Sequence, residues 1–117
     1  MKNILVVESD ADLNNLIQLH LENLECNIDQ SYTSEDGLSR ALATPYDLIL
    51  VDMEDHKGLE IYQTLRTENI NNPILMLTAC GEETQSLDAF AQDQCYHLTK
   101  PFRISELINM VKRTGVN

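Results

Sequence analysis

A chain of 117 residues is long enough for one domain with a single hydrophobic core and too short for two. Its formal net charge of −11, from 19 acidic and 8 basic residues, argues against nucleic acid as a partner of this domain. Three cysteines without CxxC spacing argue against a disulfide framework or a zinc site and favour a reducing compartment. No apolar stretch reaches membrane-spanning length and no secretory segment follows Met1, so we expect a soluble, cytoplasmic protein that does not bind membranes.

In chain order, short apolar runs alternate with segments of helical period. The first strand is predicted at 4–7, and the helix after it is capped by Asp10 or its neighbour. The i, i+3, i+4 pattern of this helix predicts a buried face made of Leu13, Leu16, Ile17, Leu21 and Leu24. The more polar strand at 26–32 is expected near an edge of the sheet.

The second helix is predicted to begin at Ser34, to turn Leu38, Ala41 and Leu42 inward, and to end before Pro45. The alternation then continues as strand 46–52, helix 58–68, strand 74–77, helix 82–92, strand 96–98 and helix 104–111. A strand followed by a helix, repeated along the whole chain, predicts parallel strands joined by right-handed helical crossovers. The fold class is therefore α/β, as a three-layer sandwich.

Asp52 ends the most apolar of the predicted strands, after the run Leu48-Ile-Leu-Val51. Such a run is typical of a strand buried on both faces of a parallel sheet. In open α/β sheets, ligands bind beyond the carboxyl ends of the strands, so an acid at that position lies at the functional edge. Taken alone, Asp52 is equally compatible with a helix cap or a solvated loop carboxylate.

Polar groups follow three other strands at the same predicted edge, namely Glu8-Ser9-Asp10, Thr78 and Lys100. Together with Asp52 they predict a phosphoryl-transfer site. A carboxylate is the nucleophile, neighbouring acids hold a divalent ion, and a hydroxyl and an ammonium bind the phosphoryl oxygens. Proline at 101 redirects the chain after Lys100, and a cis bond between the two is expected.

Four segments carry a resemblance that runs through essentially the whole chain: Ile4-Leu-Val-Val-Glu8, Asp47-Leu-Ile-Leu-Val-Asp52, Ile74-Leu-Met-Leu-Thr78-Ala79 and Leu98-Thr-Lys100-Pro101-Phe102. In these motifs the sequence resembles the receiver domains of two-component response regulators. The resemblance implies a flavodoxin-like fold for residues 1–117 as a single domain, with a five-stranded parallel sheet in the order 2-1-3-4-5 and five helices. It also implies phosphorylation of Asp52 by a sensor histidine kinase, with Thr78 and Lys100 sensing the phosphoryl group.

The motifs look closest to receivers that head winged-helix transcription regulators. This likeness implies a C-terminal DNA-binding output domain and a homodimer. Because Cys95, Tyr96 and Ser86 cannot supply the ion pairs of that subfamily's dimer face, a more apolar dimer, or none, is implied. Any enzymatic activity would be limited to self-phosphorylation and autodephosphorylation at Asp52, not that of a free-standing enzyme.

The predicted metal site departs from the family, which usually has two adjacent acids after the first strand. Here Ser9 stands in the second place, and a serine hydroxyl is a poor, uncharged ligand for a hard cation. Three outcomes stay open for Mg²⁺. Asp10 turns in to help, the ion binds weakly through Glu8, Asp52 and water, or it does not bind. The side chain of Glu54, two residues after Asp52, is a further candidate to compensate for the missing acid. If the ion does not need Asp10, that residue only caps the first helix.

Two further departures bear on function. The loop from Asp52 to Gly58 is two residues shorter than usual and lacks a proline, so Lys57 either enters the vacated space or is solvated. His97 occupies the switch position that is usually Tyr or Phe, where it either rotates as those rings do or stays a half-exposed strand residue. The leading hypothesis is a phosphorylation-controlled switch that reshapes the surface of helix four, strand five and helix five. The alternative is a pseudo-receiver, a phosphorylation-independent interaction or dimerisation module.

Overall fold

The computed structural model describes residues 2–52, 57–78 and 94–115. In these residues the chain forms a five-stranded parallel sheet in the order β2-β1-β3-β4-β5. The strands are β1 (Lys2–Val7), β2 (Cys26–Ser31), β3 (Leu48–Asp52), β4 (Ile74–Thr78) and β5 (Cys95–Thr99). The described helices are α1 (Ala11–Glu22), α2 (Ser34–Ala43), α3 (Lys57–Thr67) and α4 (Ile104–Arg113). The flavodoxin-like sandwich and its strand order are confirmed, while the helix predicted at 82–92 lies outside the described residues.

The sheet is covered on both faces, which explains why its central strands read as unbroken apolar runs. Every side chain of 4–7, 48–51 and 74–77 is buried. One face packs against α1 and α4, through Ile17, Leu21, Leu107 and Val111. The other packs against α2 and α3, through Ala41, Ile61, Tyr62 and Leu65. The polar strand β2 lies at an edge, as predicted, and its burial alternates along the strand.

Two leucines predicted to be buried are exposed. Leu16 on α1 is 42% exposed and Leu42 on α2 is 45% exposed, so the prediction that they face inward was wrong. The buried residues of α1 are Asn14, Ile17 and Leu21, a narrower face than the apolar pattern indicates. The buried face of α2 is narrower still, because Ala41 and a glycine form its line of contact with the sheet. Leu16 and Leu42 are each adjacent in sequence to a buried residue, but successive side chains of a helix point in different directions, so both leucines face solvent.

The start of α2 is fixed by a side-chain cap and by close packing. The helix begins at Ser34 as predicted, but its cap is Thr33, whose Oγ1 accepts a hydrogen bond from the Asp36 amide at 3.1 Å. One turn later, a Cβ atom on Gly37 would lie 2.6 Å from Cγ2 of Val7. Only glycine allows α2 to approach β1 this closely, and the first turn of α2 is thereby held beside the carboxyl end of that strand.

Candidate functional site

Parallel pairing brings the carboxyl ends of the strands to one edge of the sheet. Val7 pairs with Val51, Asp52 with Leu77, and Thr78 with Thr99. The residues that follow β1 and β5 therefore meet the end of β3 at this edge. They are Glu8 and Lys100, which the chain separates by 92 residues. The peptide bond between Lys100 and Pro101 is cis, as predicted from the sequence.

Glu8, Asp52 and Lys100 form one cluster, which we call the carboxylate–lysine cluster. Lys100 Nζ donates a hydrogen bond to Asp52 Oδ2 at 3.0 Å and to Glu8 Oε1 at 3.2 Å. Glu8 is only 1% exposed, and the side chains of Asp52 and Lys100 are 9% and 18% exposed. One ammonium thus bridges two carboxyl groups that are largely withdrawn from water.

Burial governs the ionisation of this cluster. It raises the pKa of Glu8 to about 7, helped by a hydrogen bond to Asp52 and by that residue's charge, while the Asp10 amide and Lys100 oppose the rise. Burial by itself lowers the pKa of Lys100, but the hydrogen bonds and charges of Asp52 and Glu8 outweigh it and raise that pKa. The lysine is therefore charged at neutral pH, and Glu8 holds its proton more tightly than an exposed glutamate does.

Sequence reasoning missed Asn14, which holds the backbone at the start of the site. Its side chain is fully buried, and Nδ2 donates to the carbonyl oxygens of Glu8 at 3.0 Å and Ser31 at 3.1 Å. The side-chain oxygen of Asn14, Oδ1, accepts a hydrogen bond from Gln30 Nε2. Asn14 thereby ties α1 to the ends of β1 and β2. The signal in the sequence is an amide on the apolar face of the first helix, between Leu13 and Ile17.

Asp10 is placed as the N-cap of α1. Its Oδ1 accepts hydrogen bonds from the amides of Asp12 at 3.0 Å and Leu13 at 3.3 Å. Its amide donates to Glu8 Oε2 at 3.3 Å, so Asp10 contacts the carboxylate–lysine cluster through its backbone. Its carboxylate is held at the helix terminus and is exposed to solvent.

A cleft of about 310 Å³ opens beside Asp52, between the end of the sheet and the first turn of α2. Its lining includes the apolar residues Val7, Val51 and Ile61. Ser9 lines it as well, so a neutral hydroxyl stands where the metal-ligand prediction needs an acid. The Asp52 carboxylate is thus reachable from solvent although most of its surface is covered.

The structure describes only some of the remaining residues that the sequence predicts for the site. Thr78 ends β4, and His97 is half-buried in the middle of β5, paired with Met76. Lys57 opens α3, one residue before the predicted start of that helix. Glu54 lies outside the described residues.

The acids around Asp52 offer few ligands to a divalent ion. Within the described ranges, no group of three or more histidine, cysteine or acidic side chains is arranged to hold a metal. Glu8 and Asp52 nevertheless converge, and carboxylate oxygens are the ligands that Mg²⁺ prefers. The two carboxylates therefore fit a magnesium ion, with fewer charged ligands than the sequence pattern of the family would supply.

The sequence model of the response regulator receiver domain matches residues 4–112 of this chain. The chain belongs to the response regulator receiver family. Proteins of this family act in two-component signalling, and receiver domains generally bind Mg²⁺ at the site of phosphorylation.

Curated relatives of this receiver domain include regulators from Staphylococcus and Bacillus. Response regulator ArlR of Staphylococcus saprophyticus is 36% identical over 117 residues, which cover 96% of this chain and 51% of that protein. Transcriptional regulatory protein ResD of Bacillus subtilis is 34% identical over 111 residues, covering 93% of this chain and 46% of ResD. The chain thus spans about half the length of the curated relatives it matches.

Solved receiver structures superpose on this fold. The receiver domain of Francisella response regulator 1452 has a TM-score of 0.86 at 25% identity, covering 97% of this chain and 96% of that one. Response regulator protein TrrA of Thermotoga maritima, solved in complex with Mg(2+)-BeF, has a TM-score of 0.83 at 28% identity and covers 97% and 99%. Among the described residues of the present receiver domain, no helix combines the length and apolar character needed to cross a membrane.

Proposed function

We propose that this receiver domain is a phosphorylation-controlled switch in which Asp52 accepts a phosphoryl group from a sensor histidine kinase. The observation that carries the proposal is the Asp52 carboxylate at the open edge of the sheet, with Lys100 Nζ 3.0 Å from its Oδ2. The cleft beside Asp52 leaves room for a donor to approach. Membership of the receiver family supports the same role.

In the proposed reaction, an oxygen of Asp52 attacks the phosphorus atom of a phosphohistidine. The phosphorus–nitrogen bond breaks as the new phosphorus–oxygen bond forms, and the imidazole leaves with the electron pair and takes up a proton. The product is an aspartyl phosphate, which water later hydrolyses to regenerate Asp52. Catalysis by the domain is limited to these two steps at its own side chain.

Lys100 and Thr78 are the proposed partners of the phosphoryl oxygens. A phosphoryl group adds up to about two negative charges at neutral pH, and the ammonium of Lys100 is already close to the acceptor. Glu8 and Asp52 would hold Mg²⁺, which offsets the charge on the phosphoryl oxygens when it is bound. Asp10 and Glu54 remain the further predicted ligands, and Asp10 can join them only by giving up the cap of α1.

The proposed output is a change in the surface formed by the 82–92 segment, β5 and α4, with His97 as the residue that moves. Shifting a switch from mostly off to mostly on requires about 5.5 kcal/mol of differential stabilisation. Charge-assisted hydrogen bonds at about 1.5–3 kcal/mol each, from Thr78 and Lys100, supply much of this energy.

The proposed partners follow from the relatives. One of them is named a transcriptional regulatory protein, and the chain spans only about half of each. We therefore propose that this domain controls a DNA-binding output domain C-terminal to it. The homodimer predicted from the subfamily likeness stays a prediction.

Intact-protein mass spectrometry tests the proposal. The domain is incubated with a small-molecule phosphodonor, with and without Mg²⁺, in parallel with Asp52→Asn. We expect a phosphoryl adduct in the natural protein and none in the variant. Asp12→Asn, the same chemical change at an exposed position on α1, is the matched control and should keep the adduct. Absence of an adduct from folded natural protein under every condition would contradict the proposal.

A further inference from the structure

Glu8 lies just past the end of β1, and both polar groups of its backbone are held by hydrogen bonds. Its amide donates to the carbonyl oxygen of Ser31 at 2.9 Å, and its own carbonyl oxygen accepts from Asn14 Nδ2 at 3.0 Å. The residue pairing of β1 with its neighbouring strands ends at Val7, so Glu8 depends on these hydrogen bonds for its backbone conformation. The backbone conformation in turn sets the direction in which the side chain of Glu8 leaves the chain.

Asn14 is anchored on both sides of its amide group. The two hydrogens of Nδ2 go to the carbonyl oxygens of Glu8 and Ser31, and Oδ1 accepts from Gln30 Nε2 at 3.1 Å. Gln30 Nε2 also donates to Oδ1 of Asn15 at 2.9 Å, on the exposed side of α1. Because the amide of Asn14 has partners for its oxygen and for both hydrogens, rotation of the side chain would break all of these bonds.

The position of Asn14 in α1 is one that an apolar side chain would fill. Its neighbours on the buried face of the helix are Ile17 and Leu21, and Asn14 is fully buried with them. Burial of an amide among apolar groups costs free energy unless its hydrogen bonds are made, and a satisfied network holds one arrangement of the chain. The amide at this position therefore selects one geometry at Glu8, which a leucine of similar size would leave undetermined.

We propose that Asn14 is a positioning residue, which holds the carboxylate of Glu8 at the place beside Asp52 where phosphoryl transfer needs it. The side chain of Glu8 is almost completely buried, so it has little freedom to compensate for a displaced backbone. A displacement of about 1 Å caused by a distant substitution can slow a reaction by about 100-fold. The proposal rests on the proposed function only in giving Glu8 a part in that reaction.

The first test is the carbon-13 signal of the carboxyl carbon of Glu8, Cδ, at constant pH and without Mg²⁺ or a phosphodonor. Asn14→Leu nearly keeps the size of the side chain and removes its hydrogen bonds to Glu8, Ser31 and Gln30. We expect the Glu8 signal to shift in this variant and to keep its natural position in Asn15→Leu, the same change at the exposed neighbour. An unshifted signal in folded Asn14→Leu would overturn the proposal, as would equal shifts in the two variants.

The second test measures the rate of adduct formation against the concentration of acetyl phosphate at constant Mg²⁺. We expect the maximal rate of Asn14→Leu to fall by about tenfold or more, while the donor concentration that gives half of this rate stays within about twofold. The reason is that the donor still reaches Asp52 but meets a misplaced Glu8 carboxylate. A natural maximal rate in the folded variant, or a change in the half-saturating donor concentration alone, would contradict the proposal.

Gln30→Ala keeps the test decisive if Asn14→Leu does not fold. Gln30 is only half-buried, and its loss leaves the amide of Asn14 free to turn without changing a core residue. We expect a smaller shift of the Glu8 signal and a smaller fall in the maximal rate, and a natural value of either would overturn the proposal. If the natural protein forms no adduct, the proposed function fails, and the Glu8 signal alone decides whether Asn14 positions the carboxylate.

Discussion

Two ion pairs of this domain have the same length and differ in their exposure to solvent. Lys100 contacts Asp52 at 3.0 Å in the carboxylate–lysine cluster, and Arg40 contacts Asp36 at 3.0 Å on the surface of α2. Arg40 and Asp36 are 46% and 49% exposed, whereas the acids of the cluster are almost covered. Hydrogen bonds from Ser31 and Arg40 lower the pKa of Asp36, while burial raises that of Glu8. Contact distance alone therefore does not measure the strength of a charge interaction. Solvent exposure decides how far water screens the pair and how much the burial of its charges costs.

The largest expected effect is the loss of the buried cation. Lys100→Met leaves two carboxyl groups without their shared ammonium, and at pH 8 we expect a loss of about 3 kcal/mol in the free energy of unfolding. At pH 5.5 the loss should be smaller because Glu8 is then protonated. Urea denaturation in the presence of a chelator measures both values. A loss no greater than that of the exposed control Lys112→Met would show that the cluster is screened like a surface pair.

Replacing Glu8 tests whether folding raises the pKa of this buried carboxyl group. Because the folded protein raises the pKa of Glu8 from 4.5 to about 7, the folded state holds this proton more tightly than the unfolded chain. The contribution of Glu8 to stability is therefore lost as pH rises from about 4.5 to about 7. Between these two pH values, the free energy of unfolding of Glu8→Gln should rise by roughly 2–3 kcal/mol relative to that of the natural protein. Equal pH profiles for the two proteins, again measured with a chelator, would contradict the raised pKa.

Removing Asn14 tests whether the backbone at the site depends on its buried amide. Asn14→Ala leaves the carbonyl oxygens of Glu8 and Ser31 without their side-chain donor. We expect this loss to lower the free energy of unfolding by about 2 kcal/mol. Thermal unfolding followed by circular dichroism should show a clear fall in Tm. Asn15→Ala, the same change at the exposed neighbour, should have little effect, and comparable losses from the two would argue against a special role for Asn14.

The smallest effect is expected at the exposed pair. Arg40→Met removes the contact with Asp36, and we expect a small change in Tm that disappears at about 1 M NaCl because salt screens exposed charges. The loss from Lys100→Met should persist in the same salt. If salt removed both losses, or neither, the contrast between buried and exposed pairs would fail.

The fold was predictable because its pattern is local. Each central strand is an unbroken apolar run, and each described helix has its own periodicity, so the order of elements could be derived from neighbouring residues. The rule that parallel strands end at one edge then predicted that Glu8, Asp52 and Lys100 would lie near one another. The helix boundaries also followed from local signals, and α2 begins at Ser34 as predicted.

Only the tertiary structure decided how these residues meet. Lys100 is 92 residues from Glu8 and 48 from Asp52 in the chain. The bridge between the two carboxylates therefore depends on the side-by-side pairing of four parallel strands, β1, β3, β4 and β5. Burial of Asn14 and exposure of Leu16 depend on how α1 lies on the sheet, which the pattern of one helix does not contain. By itself the sequence determined which residues reach the functional edge. Packing determined which of them are withdrawn from water and, with that, how strongly their charges interact.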